Sequence, residues 1–324
     1  MIVDVHSHLL TRFAIPPDAS PSQRLQANLD YFLRAQDASP VDFSVLSNPW
    51  LVETGLREPP EKLLEATRRV NDLTARLVAR HPDRFAGLAA VYPQGGEPFL
   101  REFERAVTEL DMRGAMVCPR HGDLYLDSPQ ADEFLALACQ LDVPIYLHPP
   151  RATFAHDQLP DCRLDDTIGR GIETAIAVAR MIMHGTFDRY PALKIVAAHG
   201  GGALPSLLGR LEYSWEIRDD PNIGLAPGTL SAPPSAIVRR VWVDTVLFWT
   251  PALRAVVDTY GADRVMLGSD TPPLPFPLTR CVADVEALNL PERERAAILG
   301  DNAVALFRLP TRGESQERPV TLPG

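Results

Sequence analysis

The chain has 324 residues, 45% of them hydrophobic and 23% charged, and a formal net charge of −10. That length suits one α/β barrel with a large core, and an acidic balance without a basic stripe excludes a nucleic-acid partner. No apolar run approaches the roughly 18 residues of a membrane span, and the chain enters its first apolar run with no basic leader, so no membrane partner and a cytoplasmic location are expected.

In chain order, short β-like runs alternate with longer amphipathic segments, the pattern of βα units around a parallel sheet. Strands are predicted at 2–6, 41–47, 85–91, 114–118, 143–148, 194–199, 240–245 and 264–269. Helices are predicted near 24–36, 61–80, 97–110, 129–140, 168–186, 202–217, 251–260 and 282–298. Eight such units predict a (β/α)8 TIM barrel of the α/β class, one domain over residues 1–310. The segment 311–324, rich in Gly, Ser, Gln, Glu and Pro, reads as a poorly ordered tail. The Pro-containing loops 149–166 and 219–236 read as segments that cover a site. Cys118, Cys139, Cys162 and Cys281 are widely spaced without a Cys-x-x-Cys pair and are expected to be reduced thiols.

The first strand runs into His6-Ser7-His8. Residues i and i+2 of a strand point to one side, so both imidazoles can reach one metal ion. Three more apolar runs end in a potential ligand: Val143 to His148, Lys194 to His199 and Arg264 to Asp270. Barrel enzymes place their chemistry at the carboxyl ends of the strands, and all five residues sit there. Histidines and a carboxylate are residue types that hold a catalytic divalent metal. Asp244 ends the seventh strand and is read either as the partner that orients a ligand histidine or as a plain strand-end acceptor. Asn48, Trp50 and Phe248 are candidates for the pocket lining, with packing as the alternative. Gly200-Gly201-Gly202 lacks the Walker lysine and the Rossmann spacing, so it reads as close backbone packing beside His199 rather than a phosphate cradle.

The stretches Asp4-Val-His-Ser-His8, Leu193 to Pro205 with its Ala-His-Gly-Gly-Gly centre, and Gly261 to Asp270 resemble the amidohydrolase superfamily. Within it they are similar to the branch of aminocarboxymuconate-semialdehyde decarboxylase, and the resemblance covers nearly the whole chain. It implies that His6, His8, His148 and Asp270 hold one divalent metal, usually zinc with manganese as the alternative, and that His199 is the acid/base residue, with Asp270 sharing the proton work. A bridging carboxylated lysine, common in two-metal members, has no candidate here. The chain has two lysines: Lys62 opens a surface-type helix, and Lys194 begins its strand roughly 16 Å from His199. The resemblance further implies a homodimer in which Arg210 binds the substrate carboxylate in the neighbouring subunit; a surface salt bridge is the alternative. Two departures stand out. The N-terminal segment with a second carboxylate-binding arginine has no clear counterpart, leaving Arg12 and Arg24 as candidates. The resorcylate-type aromatic decarboxylases typically begin with glutamate where this chain has His6, which lowers the weight of an aromatic substrate.

Two activities on a small carboxylate fit these residues. One is non-oxidative decarboxylation of an unsaturated or aromatic acid at a mononuclear zinc site. The other is hydrolysis of an amide, ester or lactone by a zinc-activated water. A metal-stabilised binding protein is the non-enzymatic reading.

Overall fold

The computed structural model describes residues 1–8, 21–48, 59–223, 230–271, 274 and 276–310. Trp50, Arg12, the side chain of Arg24 and the tail 311–324 lie outside the described residues. The strands are β1 (Val3–His8), β2 (Phe43–Ser47), β3 (Phe85–Gly87 and Ala89–Ala90), β4 (Ala115–Val117), β5 (Ile145–Leu147), β6 (Ile195–Ala197), β7 (Val241–Asp244) and β8 (Val265–Met266). Each pairs in parallel with its sequence neighbours. Leu88, between the two parts of β3, joins the ladders: its N–H donates to Leu46 O at 2.8 Å, and the next N–H, of Ala89, donates to Gly114 O at 2.8 Å. At the other edge the Val5 N–H donates to Leu267 O at 2.9 Å and the His8 N–H to Thr271 O at 2.8 Å. Those bonds close the eight strands into the barrel.

The principal helices are α1 (Pro21–Asp37), α2 (Pro60–Arg80), α3 (Glu97–Thr108), α4 (Asp132–Leu141), α5 (Arg170–Met183), α6 (Leu204–Glu216), α7 (Thr250–Tyr260) and α8 (Leu278–Glu286). Helix α2 shows why they form where the periodicity puts them. It starts on Pro60, whose missing N–H costs nothing in the first turn, and buries Leu63, Thr67, Asn71, Thr74 and Leu77 at helical spacing. Inside the barrel, Val3, Val45, Met116, Tyr146, Val196 and Met266 share one apolar cluster. The opposite faces of the strands, such as Val117, Ile145, Ile195 and Val243, pack against the helices. No described helix is long and apolar enough to cross a membrane.

The predicted helices 168–186 and 282–298 are each broken in the structure. A π turn over Asp165–Gly169 precedes α5, and Gly185, at φ +65°, ends the continuous helix and restarts the chain as Thr186–Arg189. After α8, Asn289 takes φ +51° and Pro291 cannot donate a helical hydrogen bond, so a new helical segment begins at Glu292 and runs to Phe307. Strand β8 is shorter than 264–269: beyond Met266 the chain continues beside β1 through single hydrogen bonds rather than a ladder.

Candidate metal centre

The histidine pair faces the barrel mouth because β1 carries a bulge. Val3 pairs with Phe43 and Asp4 with Ser44, but Ser7 pairs with Leu46 and His8 with Ser47, so one extra residue enters between Asp4 and Ser7. An unbroken strand with Val3 and Val5 facing the interior would turn His6 and His8 outward. The extra residue brings both onto the interior side, where the His6 ring lies 5.5 Å from that of Tyr146 and 5.2 Å from that of His148. Buried Asp4 pins the bulge: its Oδ1 accepts the N–H of His6 and of Ser269 at 3.0 Å each, and its Oδ2 accepts the hydroxyls of Ser7 at 2.7 Å and Ser269 at 2.6 Å.

All three strand-end imidazoles are held in the same tautomer. His6 donates from Nδ1 to Asp244 Oδ2 at 2.7 Å, and His148 from Nδ1 to the Pro149 carbonyl at 3.1 Å. Ser47 donates its hydroxyl to Ser7 O and thereby accepts from His8 Nδ1 at 3.0 Å. Each ring therefore presents the lone pair of Nε2 to one point. His6 Nε2 and His8 Nε2 are only 3.1 Å apart, and Asp270 Oδ1 lies 3.5 Å and 3.3 Å from them. His148 Nε2 is buried and has no hydrogen-bond partner. One ligand atom from each of His6, His8, His148 and Asp270 lies within 4.8 Å of the others. Lone pairs aimed at one another repel unless a cation sits between them, so this donor set fits a single divalent ion. Lys194 takes no part; its Nζ pairs with Asp142 Oδ1 at 2.5 Å on the outside of the barrel.

The electrostatics divide the three imidazoles: burial works against a charge on His6, but Asp270 and Asp244 outweigh it and raise its pKa, so a metal would displace a proton from that ring. Burial, followed by the neighbouring imidazoles, holds His148 well below the usual histidine range, and burial lowers His8 as well, so both stay neutral. Burial works against the Asp270 carboxylate, but His6, His199 and His8 outweigh it and keep Asp270 well below the ordinary carboxylate value. Asp244 behaves in the same way: despite complete burial, the charge and hydrogen bond of His6 bring it down to about 2. It also accepts from Tyr146 Oη at 2.6 Å and from the N–H groups of Gly200 and Val246 at 3.1 Å and 3.0 Å. The hydrogen bond from His6 is the contact that the orienting reading of Asp244 expects.

His199 stands beside the cluster, its Nε2 3.6 Å from Asp270 Oδ2 and its side chain 16% exposed to the cavity. Its φ of +56° and the +58° of Asp270 are unusual for side-chain-bearing residues, a strain that the surrounding packing must hold. The glycine run explains how. A Cβ on Gly202 would lie 1.9 Å from Gly171 O and one on Gly201 2.1 Å from Tyr260 Oη, so only glycine lets the turn pack against α5 and α7.

A cavity of about 780 Å³ opens above the cluster, reaching His199 and Asp270 at its floor. Its lining includes Phe248, Leu247 and Phe276 together with Arg163, Asp166 and Arg170. Phe248 thus faces the cavity, and the loop 149–166 contributes to its rim. Asn48 is buried at the end of β2 with its amide donating to Thr74 Oγ1 on α2. Arg210 is exposed on α6, its guanidinium 5.4 Å from the Tyr213 ring. Neither belongs to the described lining of this cavity. Asp4, Ser47, Tyr146 and Ser269 complete the support of the site; Asp4 and Ser269 lie within the stretches that resemble the superfamily, with no role expected of them there. Asp4, two residues before His6, and Tyr146, two residues before His148, carried an i, i+2 spacing that could have drawn attention to them.

The sequence profile of the amidohydrolase family matches residues 3–309. The chain belongs to the amidohydrolase family. Among its curated relatives, the 2-amino-3-carboxymuconate-6-semialdehyde decarboxylase of Dictyostelium discoideum is 30% identical over 272 residues, 83% of this chain and 73% of the relative. The gamma-resorcylate decarboxylase of Rhizobium radiobacter is 30% identical over 308 residues, 87% of this chain and 88% of the relative. The crystal structure of a dihydroxybenzoic acid decarboxylase from Polaromonas sp. JS666, with bound manganese and the inhibitor 2-nitroresorcinol, superimposes with a TM-score of 0.81 at 27% identity, covering 95% of this chain and 97% of that one. The amidohydrolase barrel and the decarboxylase branch expected from the three motifs are thus both borne out.

Proposed function

We propose that this protein catalyses the metal-dependent, non-oxidative decarboxylation of a small aromatic or unsaturated carboxylic acid. The observation that carries the reading is the convergence of three Nε2 lone pairs and the Asp270 carboxylate below a cavity that also exposes His199. A divalent ion held by His6, His8, His148 and Asp270 would supply the positive charge that fixes the substrate's oxygen atoms and draws electron density from its ring or double bond. His199 presents Nε2 to the cavity and delivers a proton to the carbon that carries the carboxylate. When the carbon–carbon bond breaks, its electron pair remains on that carbon and restores the unsaturated system as carbon dioxide departs. Asp270 faces the metal donors with one oxygen and His199 with the other, so it steadies the protonated imidazole. Phe248 and Phe276, their rings 4.8 Å apart, offer a wall that excludes water and suits a planar substrate.

The similarity to gamma-resorcylate decarboxylases restores the weight of an aromatic acid despite His6 standing where glutamate was expected for that type. Three imidazoles and one carboxylate suit zinc, which we propose as the ion; manganese, present in the Polaromonas relative, is the alternative. Exposed Arg210, with exposed Leu207 and Tyr213 on the same helix, supports a homodimer in which α6 serves the neighbouring cavity. The test is carbon dioxide release from 2,6-dihydroxybenzoate and related unsaturated acids by zinc- and manganese-loaded protein. Stoichiometric carbon dioxide with the decarboxylated product supports the reading; a new acid or opened ring without carbon dioxide makes the protein a hydrolase.

A further inference from the structure

Phe248 and Phe276 belong to the loops that continue from two acidic strand ends: Phe248 lies four residues beyond Asp244, and Phe276 six beyond Asp270. Both line the cavity, their rings 4.8 Å apart and tilted by 43°. Phe248 holds φ +55°, an outlier for a bulky residue, and such a conformation persists only where its surroundings over-determine it. The guanidinium of Arg280 supplies a clamp. Its Cζ stands 4.3 Å from the centre of the Phe276 ring and 5.8 Å from that of Phe248. Arg280 lies in the first turn of α8, where its N–H donates to Pro277 O at 2.9 Å. It is not on the described lining of the cavity, so it meets the rings from outside. Its side chain is 41% exposed, and Asp284, one turn on, is 3.9 Å from Nε, beyond hydrogen-bond range. The ring pair is therefore the closest partner of this cation. A guanidinium over a ring face is attracted by the ring's quadrupole, and among the described residues no other cation faces a ring that lines the cavity.

We propose that Arg280 is a positioning residue that pins the Phe276–Phe248 pair and thereby sets how strongly the cavity prefers a flat aromatic acid over a puckered acid carrying the same groups. The choice of acids rests on the decarboxylase reading above. With the cation in place, two loops that share no backbone ladder present their rings as one fixed surface. Without it each loop is free to re-aim its ring, and an aromatic ligand loses a stacking partner while the metal end of the cavity is untouched. The alternative is a surface cation–π contact with no bearing on the cavity.

The test compares 2-hydroxybenzoate with 2-hydroxycyclohexane-1-carboxylate by calorimetric binding to the metal-loaded protein, alongside kcat and KM for carbon dioxide release from 2,6-dihydroxybenzoate. Arg280→Gln removes the cation but keeps a long polar side chain of similar helix propensity, so the fold is retained. It should weaken 2-hydroxybenzoate, and raise KM for 2,6-dihydroxybenzoate, by about two- to fivefold, the scale of one exposed cation–π contact. Binding of the cyclohexane acid and kcat should stay as in wild type, and Arg280→Lys should restore part of the loss. Wild type that binds the two acids equally, or Arg280→Gln that weakens both alike or neither, would overturn the assignment in favour of a plain surface contact. Weakening confined to the aromatic acid, with no carbon dioxide from any acid, would sustain the positioning role and refute the decarboxylase reading instead.

Discussion

Replacing Asp244 with asparagine isolates the residue that orients the metal histidine. Its carboxylate is fully buried and accepts four hydrogen bonds, from His6 Nδ1, Tyr146 Oη and the Gly200 and Val246 N–H groups. The pKa of about 2, against an ordinary 3.8, corresponds to about 2–3 kcal/mol of preference for the ionised form in the folded protein. Asparagine keeps the shape, but its NH2 would face either His6 Nδ1–H and Tyr146 Oη–H, which share Oδ2, or the Gly200 and Val246 N–H groups, which share Oδ1; a buried donor left unpaired costs about 1–3 kcal/mol, the same size. Asp244→Asn should therefore lower the melting temperature of the metal-free protein by about 2–4 °C. It should also weaken metal binding about 10–100-fold, because His6 loses the partner that selects its tautomer. Competition with a chromophoric chelator measures the affinity, and a thermal melt the stability. Unchanged affinity together with an unchanged melt would refute the idea that Asp244 aims His6.

Four other outcomes follow from the same geometry. His199→Asn should retain the metal, read by plasma mass spectrometry, while kcat falls about 10²–10⁴-fold, the usual worth of a positioned acid or base; retained turnover would remove its proton-transfer role. His6→Ala or His8→Ala should lose metal and turnover together, and a variant that keeps one ion per chain would show the donor set to be wrong. Gly202→Ala should yield a strongly destabilised or insoluble protein, since the new Cβ meets Gly171 O at 1.9 Å with φ at +63°; a wild-type melt would contradict that reading of the turn. His121, buried against Tyr92 and pushed down to about 4 by desolvation, protonates more readily in the unfolded chain, so its contribution is present above pH 6.5 and is lost as pH falls toward 4. His121→Gln should flatten the stability–pH curve in that window by about 3 kcal/mol, and an unaltered acid limb of the curve would count against this assignment.

The barrel was legible because its evidence is local. Apolar runs of strand length ending in His148, His199 or Asp270, with amphipathic helices between them, give the βα alternation directly, and each strand appears at its predicted place. The candidate donors stood out for the same reason, since His6 and His8 close the first run and His148 and Asp270 each close another. What stayed hidden depends on register and on distant partners. The bulge that turns His6 and His8 inward arises from a one-residue shift against β2, held by Asp4 and Ser269, residues 265 apart. The break near Pro291 shows a local stop signal overruling helical periodicity. Arg170 was invisible as a cavity residue because a residue at a helix start after a long loop can face several ways, and only the packing of Gly171 against the His199 turn decides which.

The most direct test of a mononuclear decarboxylating centre is the metal content of protein purified without chelator, measured on the sample used for carbon dioxide release. The prediction is one divalent ion per chain, with carbon dioxide evolved in proportion to metal occupancy and both lost in His6→Ala. Protein without stoichiometric metal, or with two ions per chain, would contradict the account at its centre.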